Sequence, residues 1–211
     1  MFGGFVVLAF TCLFLEKGSG SGPNQLASPL GVAFDSKTRT LYISDTDNNR
    51  VMKYEENSTS GVVVAGGNGR GRNNTQLMNP QGIHFESSTN SLLIANTAAH
   101  NVVRWRLGDS YWTLIAGNSD GRSGNGSFDL NQPFDVITDQ MGNIYVADTF
   151  NYRIQFYMAN QLNGTTVAGI TGQNGTNANL FSYPYSVALD DQLNIYVADT
   201  YNQRVQKFKR Y

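Results

Sequence analysis

A repeat of slightly more than 50 residues runs through the chain and constrains its fold more than any other feature. Four segments align on a proline and read SPLGVAFD, NPQGIHFE, QPFDVITD and YPYSVALD. Their prolines lie 51, 53 and 51 residues apart, at Pro29, Pro80, Pro133 and Pro184. A second motif keeps the same spacing and reads LYISDTDNNRV, LLIANTAAHNV, IYVADTFNYRI and IYVADTYNQRV. Such a repeat predicts similar structural units that stack on one another.

Each repeat has the pattern of short strands with alternating faces, separated by Gly, Asn and Asp turns. The first repeat predicts four strands, at 31–34, 41–44, 51–54 and 62–65. In the first of them Val32 and Phe34 fall on one side and Ala33 on the other, which predicts a sheet packed between two neighbours. The fold is therefore predicted to be an all-β propeller of four blades, beginning near residues 29, 80, 133 and 184. The blades form either a small ring or an arc of a larger propeller.

The proline-led strand followed by IYVADTxNxRV resembles the NHL repeat, and the resemblance covers residues 18–211. It implies a propeller that usually has about six blades, whereas this sequence supplies four, the last with three predicted strands. It also implies a set of candidate functions. These are binding of a protein or glycan, substrate recognition for a ubiquitin ligase, RNA binding, and an amidating-lyase-like activity.

Charge and composition separate these functions. The chain has 15 Lys and Arg against 16 Asp and Glu, a net charge of −1, which argues against an RNA-binding surface. One cysteine and two histidines do not make a zinc domain of a ligase, and they offer few ligands for a metal-dependent lyase. We therefore expect a non-enzymatic binding scaffold without a cofactor, which binds a protein or a glycan, does not bind nucleic acid and has no stable membrane span. The alternative is a substrate-recognition fragment of an NHL-type ubiquitin ligase.

The Asp-Thr-x-Asn-x-Arg turn is predicted to be structural, because a group that recurs in three blades serves the blade. Asp and Thr side chains bond the backbone of a tight turn, Asn tolerates the left-handed conformation, and Arg pairs with a nearby carboxylate. The residues assigned to this role are Asp45, Arg50, Asp148, Arg153, Asp199 and Arg204. The second repeat departs from the motif, with NTAAHN in its place. That turn has either drifted or faces a ligand.

One face of the propeller gathers the candidate binding residues. The turn between the second and third strands and the link into the next blade lie on the same side, and interfaces favour exposed aromatic side chains. The candidates are Phe150, Tyr152, Tyr201, Gln203 and His100 in the turns, with Phe134, Tyr183 and Tyr185 beside the prolines. The alternative is that these rings pack between adjacent blades. His84, in a first strand, is expected to be a satisfied buried or channel histidine.

Residues 1–17 form an apolar segment with two interpretations, a signal peptide or the outer strand of a preceding blade. The first lacks a positive charge ahead of the apolar run, and the second follows the alignment of TCLFLEKGSG with VVVAGGNGRG. Five Asn-x-Ser/Thr sites are candidates for glycosylation, at Asn57, Asn73, Asn125, Asn163 and Asn174. Together these features favour a secreted protein, or a cytoplasmic one if residues 1–17 are a blade strand.

Overall fold

The computed structural model describes residues 18–209, so the predictions for residues 1–17 lie outside the described part of the chain. Fifteen strands form four antiparallel sheets. Blade 1 contains β1 (Pro29–Asp35), β2 (Thr40–Asp45), β3 (Arg50–Tyr54) and β4 (Val62–Gly66). Blade 2 contains β5 (Pro80–Glu86), β6 (Ser91–Asn96), β7 (Asn101–Arg106) and β8 (Thr113–Gly117). Blade 3 contains β9 (Pro133–Thr138), β10 (Ile144–Asp148), β11 (Arg153–Tyr157) and β12 (Thr165–Gly169). Blade 4 contains β13 (Pro184–Leu189), β14 (Ile195–Asp199) and β15 (Arg204–Phe208).

The predicted four-bladed, all-β propeller is confirmed. Each blade begins at one of the four aligned prolines, and its strands pair with their neighbours in chain order. The predicted strands of the first repeat were each one to three residues too short, because the ladder continues into the proline and the turn residues. First strands of successive blades contact one another, so β1, β5, β9 and β13 line one side of the stack.

Blades stack through apolar residues on both faces of their sheets. In β6 all six residues are buried, and successive side chains point to opposite sides. Leu92 and Ile94 join the cluster shared with blade 1, whereas Leu93 and Ala95 join the cluster shared with blade 3. A third cluster joins blades 3 and 4 around Phe181. A strand buried on both faces explains why this repeat reads as a continuous apolar run.

The outer faces of the first and last blades depart from the prediction of a sheet packed on both sides. Val32 and Phe34 of β1 are 68% and 42% exposed, and Val205 of β15 is 70% exposed. Ala33, on the opposite face of β1, packs against the cluster shared with blade 2. Within residues 18–209 the blades therefore stack as an arc whose two end faces are open.

A buried ion pair closes the turn between the second and third strands. In blade 3, Arg153 Nε donates to Asp148 Oδ2 at 2.7 Å, and Asp148 Oδ1 accepts the Asn131 backbone N–H at 2.7 Å. The guanidinium also donates to three carbonyl oxygens of the link between blades 2 and 3. One carboxylate thus holds an arginine and a backbone link in place. Equivalent pairs join Asp45 with Arg50 and Asp199 with Arg204.

The role predicted for the motif asparagine was wrong. Asn151 Nδ2 donates to Asp148 Oδ2 at 2.8 Å, and the left-handed residue is the next one, Tyr152, with φ of 57°. A single 3₁₀ turn spans Thr149–Asn151, and the residue after it adopts positive φ so that the chain reverses into β11. The residues that match Tyr152 in the other blades are Asn49, His100 and Gln203.

Blade 2 keeps this turn without charges. Asn96 Oδ1 accepts the Met78 backbone N–H at 2.6 Å, as the aspartate does elsewhere. Its amide nitrogen donates to Asn101 Oδ1 at 3.0 Å, in the place of the ion pair. The departure from the repeat motif is therefore a neutral version of the same hydrogen-bonded turn.

The motif threonine joins one blade to the next. Its hydroxyl donates to the carbonyl oxygen of the proline that begins the following blade, and the distance is 2.7 Å at each of three junctions. The pairs are Thr46 with Pro80, Thr97 with Pro133, and Thr149 with Pro184. In blade 4 the equivalent Thr200 is exposed, and its hydroxyl lies 3.4 Å from the Ala198 carbonyl oxygen.

Candidate functional site

Six aromatic side chains meet on one face of the junction between blades 3 and 4. We call this cluster the aromatic face; it consists of Phe134, Phe150, Tyr152, Tyr183, Tyr185 and Tyr201. Phe134 and Tyr185 stack with ring centroids 4.5 Å apart. Tyr183 lies at the centre, with centroid distances of 5.1 Å to Phe150, 5.3 Å to Tyr152 and 4.8 Å to Tyr201. These separations are those of favourable aromatic pairs.

Two residues with left-handed backbone conformation bring their side chains into contact across the junction. Tyr152 precedes the motif arginine and Tyr183 precedes the proline, with φ of 57° and 54°. The same two positions meet at the earlier junctions, where their side chains are polar. Asn49 Oδ1 accepts the Asn79 N–H at 2.9 Å, and His100 Nδ1 accepts the Gln132 N–H at 3.1 Å. The third junction is thus the aromatic form of a repeated contact.

The structure brings six of the eight predicted binding residues together. His100 and Gln203 occupy the equivalent turns of blades 2 and 4 and are not members of the aromatic face. The rings pack against one another across blades 3 and 4, as the alternative interpretation expected, yet they remain accessible. Tyr201 is 63% exposed, and the other five are half-buried. Burial in the cluster raises the pKa of Tyr185, so its hydroxyl is neutral near pH 7.

A cavity of about 340 Å³ adjoins the aromatic face on the side of the first strands. All four first strands contribute to its wall, because their opening residues converge. The stacked rings of Phe134 and Tyr185 form one part of the wall, and Asp135 and Ser186 lie next to them. Leu30, Gly31, Val32, Gln81, Gly82 and Ile83 complete the wall.

Asp135 is the charged residue of this cavity wall, and it was not among the binding residues predicted from the sequence. It follows the residue after the proline, and the matching residues are Gly31, Gly82 and Ser186. A carboxylate in a series of glycine and serine is the signal that a comparison of the repeats would have found. Gly82 leaves room for it, since a Cβ there would collide with Asp135 Oδ1.

Neutral groups hold the Asp135 carboxylate. Oδ2 accepts from the Ser186 hydroxyl at 2.6 Å and from the Val187 N–H at 3.1 Å, and Oδ1 accepts from the Val136 N–H at 2.9 Å. Among the ion pairs of residues 18–209, none includes Asp135. Burial raises the pKa of its carboxyl group, against these three hydrogen bonds, which lower it.

His84 lies in β5 and contacts the next blade. Its Nε2 is 3.0 Å from Thr138 Oγ1 in β9, and burial lowers the pKa of the imidazole. Over the part of the chain that the structure describes, no three His, Cys, Asp or Glu side chains are grouped to hold a metal ion. Over the same part, no helix has the length and apolar character needed to cross a membrane.

Comparisons with known proteins give the family context of this geometry. The family model described as NHL repeat matches residues 181–208. Protein SUPPRESSOR OF QUENCHING 1, chloroplastic, of Arabidopsis thaliana is 25% identical in an alignment that covers 85% of this chain and 19% of that protein. The chain therefore spans about a fifth of this curated relative.

Two solved structures share the fold. One is a structural genomics protein of unknown function from Bacteroides thetaiotaomicron, with a TM-score of 0.70 and 18% identity over 86% of this chain and 47% of that one. The other is an auxiliary nutrient binding protein from Bacteroides ovatus, with a TM-score of 0.64 and 15% identity over 87% of this chain and 48% of that one. The chain spans about half of each, and identities this low show the fold alone. The predicted resemblance to the NHL repeat is confirmed at blade 4, where the family model matches.

Proposed function

We propose that this chain is a non-enzymatic recognition scaffold, which binds a protein or a glycan through the aromatic face. The observation that carries the proposal is the convergence of six rings at one junction of a repeated framework. The other two junctions have polar side chains at the positions of Tyr152 and Tyr183, so the framework does not itself require rings there. Binding is therefore the better account of the aromatic substitutions.

Aromatic rings suit such a role for two physical reasons. They offer a large apolar area at a low cost in conformational entropy, and tyrosine adds a hydroxyl that bonds polar groups at the edge of an interface. Tyr152 Oη lies 3.5 Å from Tyr183 Oη, so two hydroxyls mark one rim of the face. The fold is shared by an auxiliary nutrient binding protein and by a streptogramin B lyase, so the proposed binding role is supported by the aromatic face and not by the fold.

Replacing Tyr201 by alanine is expected to weaken binding about tenfold or more, because this ring is the most exposed part of the aromatic face. The measurement is binding of the purified chain to a glycan array and to a peptide array, followed by titration of each positive probe. Tyr111→Ala is the matched control, since Tyr111 is 50% exposed on blade 2 and outside the aromatic face. An equal loss in both variants, or no loss in Tyr201→Ala, would contradict the proposal.

An extracellular location is part of this proposal. All five candidate glycosylation asparagines lie outside the strands and are exposed. Expressed in a secreting eukaryotic cell, the chain is expected to appear in the medium, with an intact mass that falls by several glycans after treatment with a peptide N-glycosidase. An unmodified product retained in the cytoplasm would refute the location and leave the binding role to the array experiment.

A further inference from the structure

We infer that the cavity beside Asp135 receives the guanidinium group of an arginine side chain from a protein partner. This inference rests on the proposed binding function and deepens it, because it selects a protein rather than a glycan and names the group that is recognised. Its evidence is the charge, the aromatic wall and the shape of the cavity.

The charge of the cavity is unbalanced. Asp135 is the one charged residue among the described residues that line it, and the three groups that bond its carboxylate are neutral. Asp135 is half-buried, and partial burial of a carboxylate carries a desolvation cost unless a cation approaches it. A positively charged ligand recovers part of that cost, whereas a neutral sugar only replaces one set of hydrogen bonds with another.

The aromatic wall favours a cation as well, and arginine in particular. Phe134 precedes Asp135 in the sequence, Tyr185 lines the same cavity from the next blade, and ring faces attract cations. Guanidinium is planar, stacks on aromatic rings and is less strongly hydrated than ammonium. It therefore leaves water at a lower cost and satisfies the ring and the carboxylate together.

The position of the cavity points to a side chain of a protein rather than to a free small cation. The cavity is continuous with the aromatic face, because Phe134 and Tyr185 belong to both. A partner whose arginine enters the cavity covers these rings with its neighbouring residues, as in interfaces where a buried arginine is surrounded by aromatic contacts. Gln81 and Ser186 supply polar groups at the wall for the backbone beside that arginine.

The first experiment uses the unaltered protein and two probes that differ in charge. Nα-acetyl-arginine amide and its neutral isostere Nα-acetyl-citrulline amide are titrated separately, with binding followed by NMR chemical shifts. The arginine probe is expected to bind at least about tenfold more tightly and to perturb the signals of Asp135 and Tyr185. Equal affinity of the two probes would overturn the inference, as would perturbation confined to other parts of the chain.

Two variants and a matched control assign the effect to the cavity. Asp135→Asn is expected to lower the affinity for the arginine probe at least about tenfold, and Tyr185→Leu about threefold. Asp191→Asn makes the same charge change at an exposed residue of blade 4 and is expected to leave the affinity unchanged. Circular dichroism establishes that each variant is folded, and Tyr185→Leu tests the site by itself if Asp135→Asn does not fold. An unchanged affinity in the folded variants would overturn the inference.

Two further probes distinguish binding of an arginine side chain from binding of other ligands. Choline tests a free quaternary ammonium ligand, and a methyl glycoside tests a sugar; binding of either more tightly than the arginine probe would overturn the assignment to a protein side chain. The experiments also distinguish failure of this inference from failure of the proposed function. If Tyr201→Ala abolishes array binding while the arginine and citrulline probes bind equally, the aromatic face is a binding site and the arginine assignment is wrong.

Discussion

Replacing Arg153 by methionine is expected to lower the free energy of unfolding by about 3–5 kcal/mol, because the change leaves the Asp148 carboxylate buried without its cation. Both side chains are almost fully buried, with Arg153 3% exposed and Asp148 0%. The variant also loses the three hydrogen bonds to the link between blades 2 and 3. Urea unfolding at pH 7, followed by circular dichroism, measures the loss.

The repeat supplies a matched control at the same motif position. Arg204 pairs with Asp199 at the same distance, 2.7 Å, but is 31% exposed. Gln206 Nε2 also donates to the Asp199 carboxylate at 3.1 Å. After the change Asp199 therefore keeps three donors, whereas Asp148 keeps two after the loss of Arg153. Arg204→Met is therefore expected to cost about 1–2 kcal/mol. Equal losses in the two variants would show that burial does not set the energy of the pair.

Blade 2 indicates which second substitution can restore part of the free energy of unfolding that Arg153→Met loses. Its Asn96 and Asn101 bond each other where the other blades have an ion pair. The double variant Asp148→Asn with Arg153→Asn is therefore expected to be more stable than Arg153→Met, because no buried charge remains unpaired. A double variant that is less stable than the single one would contradict this account.

The loss in Arg153→Met is also expected to depend on pH. Burial raises the pKa of Asp148 to about 6, and the Arg153 charge opposes that shift. A carboxyl group with a raised pKa in the folded state binds a proton that the unfolded state has released, so its contribution to stability falls as pH rises from about 4 to 6. Without Arg153 the pKa rises further, and the destabilisation should be small at low pH and grow towards neutral pH. Urea unfolding of both proteins at pH 5 and pH 8 tests whether the destabilisation grows with pH.

Replacing Thr149 by valine is expected to cost about 1–3 kcal/mol, because the Pro184 carbonyl oxygen loses a buried hydroxyl donor at 2.7 Å while the side chain keeps its shape. Thr200→Val is the control. Thr200 has the same place in its motif but is exposed. Its replacement by valine is expected to change the free energy of unfolding by no more than about 0.5 kcal/mol. Thermal and urea unfolding of the two variants compare a blade junction with an open end. A loss in Thr200→Val as large as in Thr149→Val would refute the role of the hydroxyl in joining blades.

These contacts explain why the framework tolerates the proposed binding site. Stability comes from buried groups that recur in the blades, such as the Asp148 and Arg153 pair and the Thr149 hydroxyl. The side chains at positions 152 and 183 contribute little to these recurring contacts, since their counterparts at the other junctions differ. The propeller therefore holds its shape while these positions vary, which leaves their rings available for the proposed recognition role.

The sequence by itself determined the repeat, the strands and the start of each blade, because alternation of apolar residues and turn motifs are local features. It also included the six residues of the aromatic face among eight candidates, since their shared position relative to the turn and the proline predicts that they lie on one side of the blade. Only the tertiary structure decided that Tyr152 and Tyr183 meet across a junction, because the contact joins residues of two blades through left-handed backbone. It decided also that Asp135 lies beside these rings with no ion-pair partner among residues 18–209, and that Val32 faces solvent. Packing between distant segments sets the exposure of a side chain and the charges near it, and a local pattern carries neither.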